Sequence, residues 1–255
     1  MNDLSNSKED RDQVRDRLQE LDHLKNSFVA LVSHELRTPA NLISGYLDLG
    51  LEALQEDNLE AKEYLEVAQK NTRRIIRIIQ ELTDFARLQR GKSVDHLNPI
   101  PIMEAVRQTV GLLDRDLNQK KLELTVELSS QFEQASYDGE SLIVIFRNIL
   151  SNAAKFSPES GEIQVIGKVS GDKLMLEFID QADPIPESKK DLIFEDFRQI
   201  ENYLTRRYEG MGLGLAVARR SARFLGGDIE LRVLDSGNIF TVILPAPKPP
   251  KMKWG

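Results

Sequence analysis

The sequence predicts two structural parts in series: an all-α helical hairpin that closes into a four-helix bundle as a dimer, then an α+β two-layer sandwich. Two observations carry the first part. Val14, Leu18, Leu21, Lys25, Phe28 and Val32 recur at spacings of 4, 3, 4, 3 and 4, a heptad seam. Leu65, Ala68, Thr72, Ile75, Ile79 and Leu82 repeat the pattern at 3, 4, 3, 4 and 3. A third observation carries the second part. Beyond residue 97, short alternating apolar runs interleave with helical patterns and glycine-rich turns, as in helices laid on one face of a sheet.

Taken in order, residues 1–27 read as a coiled-coil helix whose first nine residues are polar and frayed. Its simplest partner is a second copy of itself. Leu36 adds a second spacing of four after Val32, a phase slip that relaxes left-handed supercoiling, and Lys25 weakens the seam just before it. Residues 28–90 form the hairpin. There Val29, Val32, Leu36, Ile43 and Leu47 share one stripe, and His34 lies roughly 200° round from Val32 and Leu36, on the opposite face. A histidine is thus held to solvent on a rigid rod, followed directly by Glu35. A lone histidine of this kind is most often an ordinary surface residue, so its neighbours must decide. Pro39 removes a backbone donor and is expected to bend the helix, which resumes through Leu42, Tyr46 and Leu51 to about residue 54. A polar break at 55–58 leads to a second helix over 59–90, ended by Arg87, Arg90 and Gly91. Neither helix can bury its seam alone, so a homodimer through residues 10–90 is expected. Arg73, Arg74 and Arg77 read as a solvated face.

Residues 91–97 form a linker, 98–246 the second domain and 247–255 a disordered Pro/Lys-rich tail. Within that domain the patterns predict helices over 100–118 and 139–156 and strands over 122–128, 162–169 and 173–180. After an irregular polar stretch, Gly210-Met211-Gly212-Leu213-Gly214-Leu215 opens a helix reaching about residue 225, which Gly226-Gly227 ends. Strands over 228–234 and 238–244, joined by Asp235-Ser236-Gly237-Asn238, close the domain.

Composition excludes several classes. The 34 basic and 41 acidic residues leave a charge of −7, which argues against a nucleic-acid binder held by phosphate contacts. There are no cysteines, hence no disulfide framework and no thiolate metal site. No run of about 18 apolar residues exists and the first residues are polar, so no membrane contact by this chain is expected.

The second domain carries the chemistry. A glycine-rich turn at a helix start offers unshielded N–H groups and a positive dipole end, a means of holding phosphate, although such a loop is often only a tight turn. Asn148, Asn152 and Lys155 fall at i, i+4 and i+7, one helix face. Two amides and an ammonium there can serve a hydrated Mg²⁺ and phosphate oxygens together, or form a plain polar stripe. Asp180, ending an apolar strand, can accept a hydrogen bond from an exocyclic amine, or is an ordinary strand-end aspartate.

These residues resemble, over about residues 20–245, the catalytic core of two-component sensor histidine kinases. The phosphoacceptor box resembles Phe28-Val-Ala-Leu-Val-Ser-His34-Glu-Leu-Arg-Thr-Pro39 and the asparagine box Asn148-Ile-Leu-Ser-Asn152-Ala-Ala-Lys155-Phe-Ser-Pro158. The phenylalanine box resembles Ile193-Phe194-Glu-Asp-Phe197-Arg-Gln199, and the last glycine box Gly210-Met-Gly212-Leu213-Gly214-Leu215. The resemblance implies an ATP-dependent autokinase with a Bergerat-fold second domain. His34 would be the phosphoacceptor, Glu35 the general base and Thr38 the residue that orients water for dephosphorylating the partner. Asn152 would ligate Mg²⁺ beside Asn148. Lys155 and Arg206 or Arg207 would neutralise phosphate charge, and Asp180, Phe197 and the last glycine box would complete the nucleotide site. The phosphate would pass to an aspartate of a response regulator, and the chain would be cytoplasmic, by itself or as the soluble part of a longer sensor. The sequence departs from the family at Ala182 and Pro184, where the first glycine box has glycines, and at Glu209, Met211 and Leu225. Those departures are expected to weaken nucleotide binding. Two alternatives stay open: a kinase-like core that mainly dephosphorylates or scaffolds a regulator, and a Bergerat ATPase of another kind, against which the His34 box argues.

Overall fold

A computed structural model describes the backbone of residues 2–55, 60–90, 98–197 and 211–246, and the side chains of 28–55, 60–88, 98–197 and 211–246. The chain divides into two compact units, Met1–Gln80 and Glu81–Gly255.

The first unit is built on α1 (Asn2–Gln55) and most of α2 (Ala61–Arg90). Helix α1 begins at Asn2, so residues 2–9, expected to fray, are helical, and it runs through Pro39 as the resumed apolar pattern expects. The seam positions from Val14 to Lys25 lie outside the described side chains, and most of the polar break lies outside the described residues. The helices meet antiparallel: the rings of Tyr46 and Tyr64 lie 6.0 Å apart, and a Cβ on Gly50 would come within 3.4 Å of Leu65. Small residues line this contact, with Gly50, Ala53, Ala61 and Ala68 all buried. Val29, Leu47, Leu51, Leu65, Ile76 and Ile79 stay exposed in the single chain. The hairpin therefore buries its small face and leaves many of its large apolar residues uncovered.

The second unit is a five-stranded mixed sheet under three main helices. Strands β2 (Glu123–Glu127), β4 (Glu162–Ser170), β5 (Lys173–Asp180), β7 (Gly237–Pro245) and β6 (Asp228–Leu234) lie in that spatial order. The pair β2–β4 is parallel and the rest antiparallel. Alternate strand residues Ile163, Val165, Leu176, Phe178 and Val242 join one core with helices α3 (Ile102–Gln119), α5 (Gly139–Phe156) and α6 (Gly214–Phe224). This period-2 burial places all three helices on one face. Phe146 of α5 and Phe178 of β5 pack with ring centroids 5.5 Å apart. The hairpin β6–β7 turns on Asp235-Ser236, with Leu234 paired to Gly237.

The sequence patterns place α5, β5 and β6 where the structure has them. They miss a two-stranded ribbon, β1 (Pro99–Pro101) with β3 (Ser136–Asp138), and the one-turn helix α4 (Gln131–Gln134) that lies between β2 and β3 in the chain. Three-residue strands carry too few residues for a period to show, and two prolines argue against a strand. The start of α6 also shifts. Gly212 has φ of +72°, a left-handed conformation that ends any helix running through it, so α6 begins at Gly214.

Candidate functional site

On the hairpin, His34 and Glu35 differ sharply in environment although they are adjacent. The His34 side chain is 55% exposed and that of Glu35 only 1%. A buried carboxylate must be paired, and Arg74 of α2 supplies the pair: its Nη2 donates to Glu35 Oε2 at 2.9 Å. Arg74 is 15% exposed, which corrects its assignment to a solvated face: the ion pair draws it inward. The other carboxylate oxygen, Oε1, lies 3.8 Å from His34 Nδ1, beyond hydrogen-bond reach but within one side-chain rotation of it. Thr38 Oγ1 donates to the His34 carbonyl at 3.2 Å, keeping its hydroxyl one turn from the imidazole.

In the second unit, α5 carries the amide face. Asp138 caps its start by accepting from the Ser141 N–H at 3.0 Å. Its end is closed by Lys120, whose Nζ donates to the carbonyls of Lys155 (2.6 Å) and Ser157 (2.8 Å). Burial lowers the Lys120 pKa from its ordinary value. Asn148, Asn152 and Lys155 are each half-buried, Lys155 lying over the Phe156 ring at 4.9 Å. Asn148 Nδ2 donates to its own helix at Val144 O (2.8 Å), and its Oδ1 would meet a Cβ at position 214 at 2.8 Å. The last glycine of the box thus lets α6 lie directly against Asn148. Met211 and Leu213 are buried beneath that turn, while Gly214 and Leu215 remain half-buried. Arg206, Arg207 and Gly210 lie outside the described residues.

Asp180 closes β5 and is 4% exposed. Burial raises its pKa; hydrogen bonds from Asn238 and the Ala182 N–H pull the other way without cancelling the rise. Ala182 has no positive φ, so its methyl fits where a glycine was expected. Phe197, with φ of +61°, packs edge-on against Phe85 of α2 at 5.7 Å, and the Arg220 guanidinium covers the same Phe85 ring at 5.5 Å. Arg220 also pairs with Asp196, Arg219 covers Phe194 at 4.6 Å, and Asp84 beside Phe85 pairs with Arg147. The residues from Phe194 to Phe197 are thereby tied to α6 and to the last turns of α2.

Two family descriptions match this chain: "His Kinase A (phospho-acceptor) domain" over residues 24–91, and "Histidine kinase-, DNA gyrase B-, and HSP90-like ATPase" over residues 137–248. The first contains His34, and the second contains the α5 face and Asp180. This chain carries both domains of a sensor histidine kinase catalytic core. This histidine kinase core is 30% identical over 238 residues to hybrid signal transduction histidine kinase D of Dictyostelium discoideum, covering 90% of this chain and 15% of that protein. It is 32% identical over 225 residues to the signal transduction histidine-protein kinase BarA of Escherichia coli K12, covering 86% of this chain and 24% of BarA. The chain spans less than half the length of the curated relatives it matches. Among solved structures, Acinetobacter baumannii histidine kinase AdeS superposes with a TM-score of 0.62 at 20% identity, covering 84% of this chain and 98% of that one. Full-length ShkA, solved in complex with AMPPNP, gives a TM-score of 0.61 at 25% identity, covering 86% and 46%. The second domain of this histidine kinase core is thus an ATP-binding domain. Among the described residues, no helix is long and apolar enough to cross a membrane.

Proposed function

We propose that this core is an ATP-dependent autokinase of a two-component system, with His34 as phosphoacceptor. The observation that carries the reading is the contrast at residues 34 and 35, an imidazole held to solvent beside a carboxylate held inside. The Nε2 lone pair attacks the γ-phosphorus of ATP, forming an N–P bond while the bond to the ADP oxygen breaks. The Nδ1 proton passes to Glu35 Oε1, which keeps the imidazole neutral as it attacks. Phosphoryl transfer needs mainly positioning and charge stabilisation. Asn152, supported by Asn148, would hold a magnesium ion, which when bound spreads the charge of the phosphate oxygens. Lys155, with Arg206 or Arg207, would neutralise phosphate charge. Gly210, Gly212 and Gly214 would present the backbone to phosphate beside Leu213 and Leu215, Asp180 would accept the base amine, and Phe197 would border the nucleotide. The AMPPNP complex of ShkA supports the nucleotide part of this reading.

The phosphate would pass to an aspartate of a response regulator, and Thr38 would orient the water that later removes it there. The uncovered apolar stripe of the hairpin supports a homodimer. Ala182 and Pro184 favour a second reading, a core that mainly dephosphorylates or scaffolds the regulator. Incubation with ATP labelled at the γ-phosphate separates the two. Acid-labile label on the wild type and none on His34→Gln, with unchanged nucleotide affinity, is the expected result. Label persisting on His34→Gln would overturn the choice of acceptor. No label on the wild type would favour the second reading, and free phosphate without labelled protein would favour an ATPase of another kind.

A further inference from the structure

The loop after Asp180 lacks both expected glycines, yet it is held closely. Its anchor is Asn238, a residue of β7 that is 2% exposed and stands in register opposite Asp180. Gly237 brings the two strands together there: a Cβ at that position would fall 2.0 Å from the Asp180 carbonyl oxygen. The Asn238 carboxamide then makes contacts that only an amide can combine. Nδ2 donates to Asp180 Oδ1 at 3.1 Å and to the Asp183 carbonyl at 3.2 Å, while Oδ1 accepts from the Ile185 N–H at 3.0 Å. It therefore spans Pro184, taking the carbonyl before it and the N–H after it. The Ala182 N–H joins Asn238 on Asp180 Oδ1 at 3.0 Å. One carboxylate oxygen is committed to two donors, which fixes the rotation of the whole group.

We propose that Asn238 is a specificity-determining positioning residue: it fixes the Asp180 carboxylate and the 180–186 loop for recognition of a purine bearing an exocyclic amine. The assignment rests on the reading of Asp180 as the acceptor of that amine. Ordinarily a loop here would be shaped by glycine backbone freedom; in this chain a buried side-chain amide does the shaping instead.

The test compares two β,γ-imido nucleotide triphosphates with magnesium, one carrying adenine and the other unsubstituted purine, which lacks the 6-amine. Both are titrated calorimetrically into the full chain. The wild type is expected to prefer the adenine nucleotide by about tenfold, as for one hydrogen bond to a charged group. Asn238→Ala is expected to lower adenine nucleotide affinity to that of the purine nucleotide and to change the purine affinity little, so the ratio falls to near one. A loss shared equally by both nucleotides would mean that Asn238 serves only the fold, and would overturn the proposal. No preference in the wild type would instead overturn the reading of Asp180, and the assignment with it. If Asn238→Ala fails to fold, Asn238→Ser keeps a polar group on the strand but cannot bridge Asp180 and Ile185 together, and the same collapse of the ratio is expected. Failure of both variants to fold would overturn the proposal, because the network would then be holding the strand pair rather than the base.

Discussion

Burial sets the chemistry of the residues that matter most. Asp180 is desolvated enough that its pKa is raised above the ordinary carboxylate value. In the linkage the native state binds more protons than the unfolded chain between the ordinary and the raised pKa, so this group's contribution to stability falls as pH rises through that window. In the proposed role of Asp180, a bound base amine would offset the desolvated charge and lower the pKa again. At a pH near the raised pKa, nucleotide binding should therefore release protons, and affinity should fall as pH drops through that pKa. Calorimetry in two buffers of different ionisation enthalpy measures the release, and Asp180→Asn should abolish it. Arg74 follows the same logic on the hairpin. Arg74→Met leaves Glu35 buried without its guanidinium, which should cost about 3 kcal/mol of stability and slow autophosphorylation more than nucleotide binding. Thermal melting and a label time course check both, and Glu35→Gln placed on Arg74→Met should recover stability but not rate. His34, Asn148, Asn152 and Asp180 could be proposed from the sequence because each stands in a short local motif. Arg74 and Asn238 could not, because their partners lie 39 and 58 residues away, where no period or spacing reaches.

At the level of elements, what the sequence revealed depended on length and capping. Helix α5 was legible over its full 139–156 span because its apolar pattern is long, and the structure closes its start with the Asp138 cap. The ribbon of β1 and β3 offered neither. Helix α6 shows how an element is locked to its sheet. Asp228, at the start of β6, receives Arg219 Nε at 2.7 Å and Arg223 Nη2 at 3.2 Å from α6, one helical turn apart. Burial works against its charge, but the two arginines and the Ile229 N–H outweigh it and lower its pKa to about 2. Since the folded pKa lies below the unfolded one, the stabilisation is fully present above about pH 4 and is lost as pH falls toward 2. The carboxylate is partly open to solvent, so the discounted contribution is about 1 kcal/mol. Asp228→Asn should lower stability by about that amount at pH 7 and leave it unchanged near pH 2. Denaturant titrations at both pH values decide it; an equal loss at both would mean that shape, not charge, holds α6 to β6.

For the whole molecule, the decisive fact is what one hairpin leaves uncovered. Glu35, Gly50, Ala53, Ala61 and Ala68 turn inward, whereas Leu47, Leu51, Leu65, Ile76 and Ile79 face out. Covering a large aliphatic side chain contributes about 1.5–3 kcal/mol, so a second hairpin laid on this stripe gains several such terms from each copy. A helix pair rarely leaves so many large residues in water unless another pair closes over them. The chain, of 29.0 kDa, should therefore sediment at close to twice that mass at micromolar concentration. Ile79→Glu tests which face closes. In a twofold-symmetric contact the substitution enters twice, once from each copy, and the dissociation constant should rise about a hundredfold, or about 2.7 kcal/mol. Position 79 falls in the first unit and the α5 face in the second, so AMPPNP affinity should stay within about twofold of the wild type. A variant that sediments as the wild type does would place the interface on another face of the hairpin. One that loses both the dimer and nucleotide binding would show that the second unit depends on the bundle for its own fold.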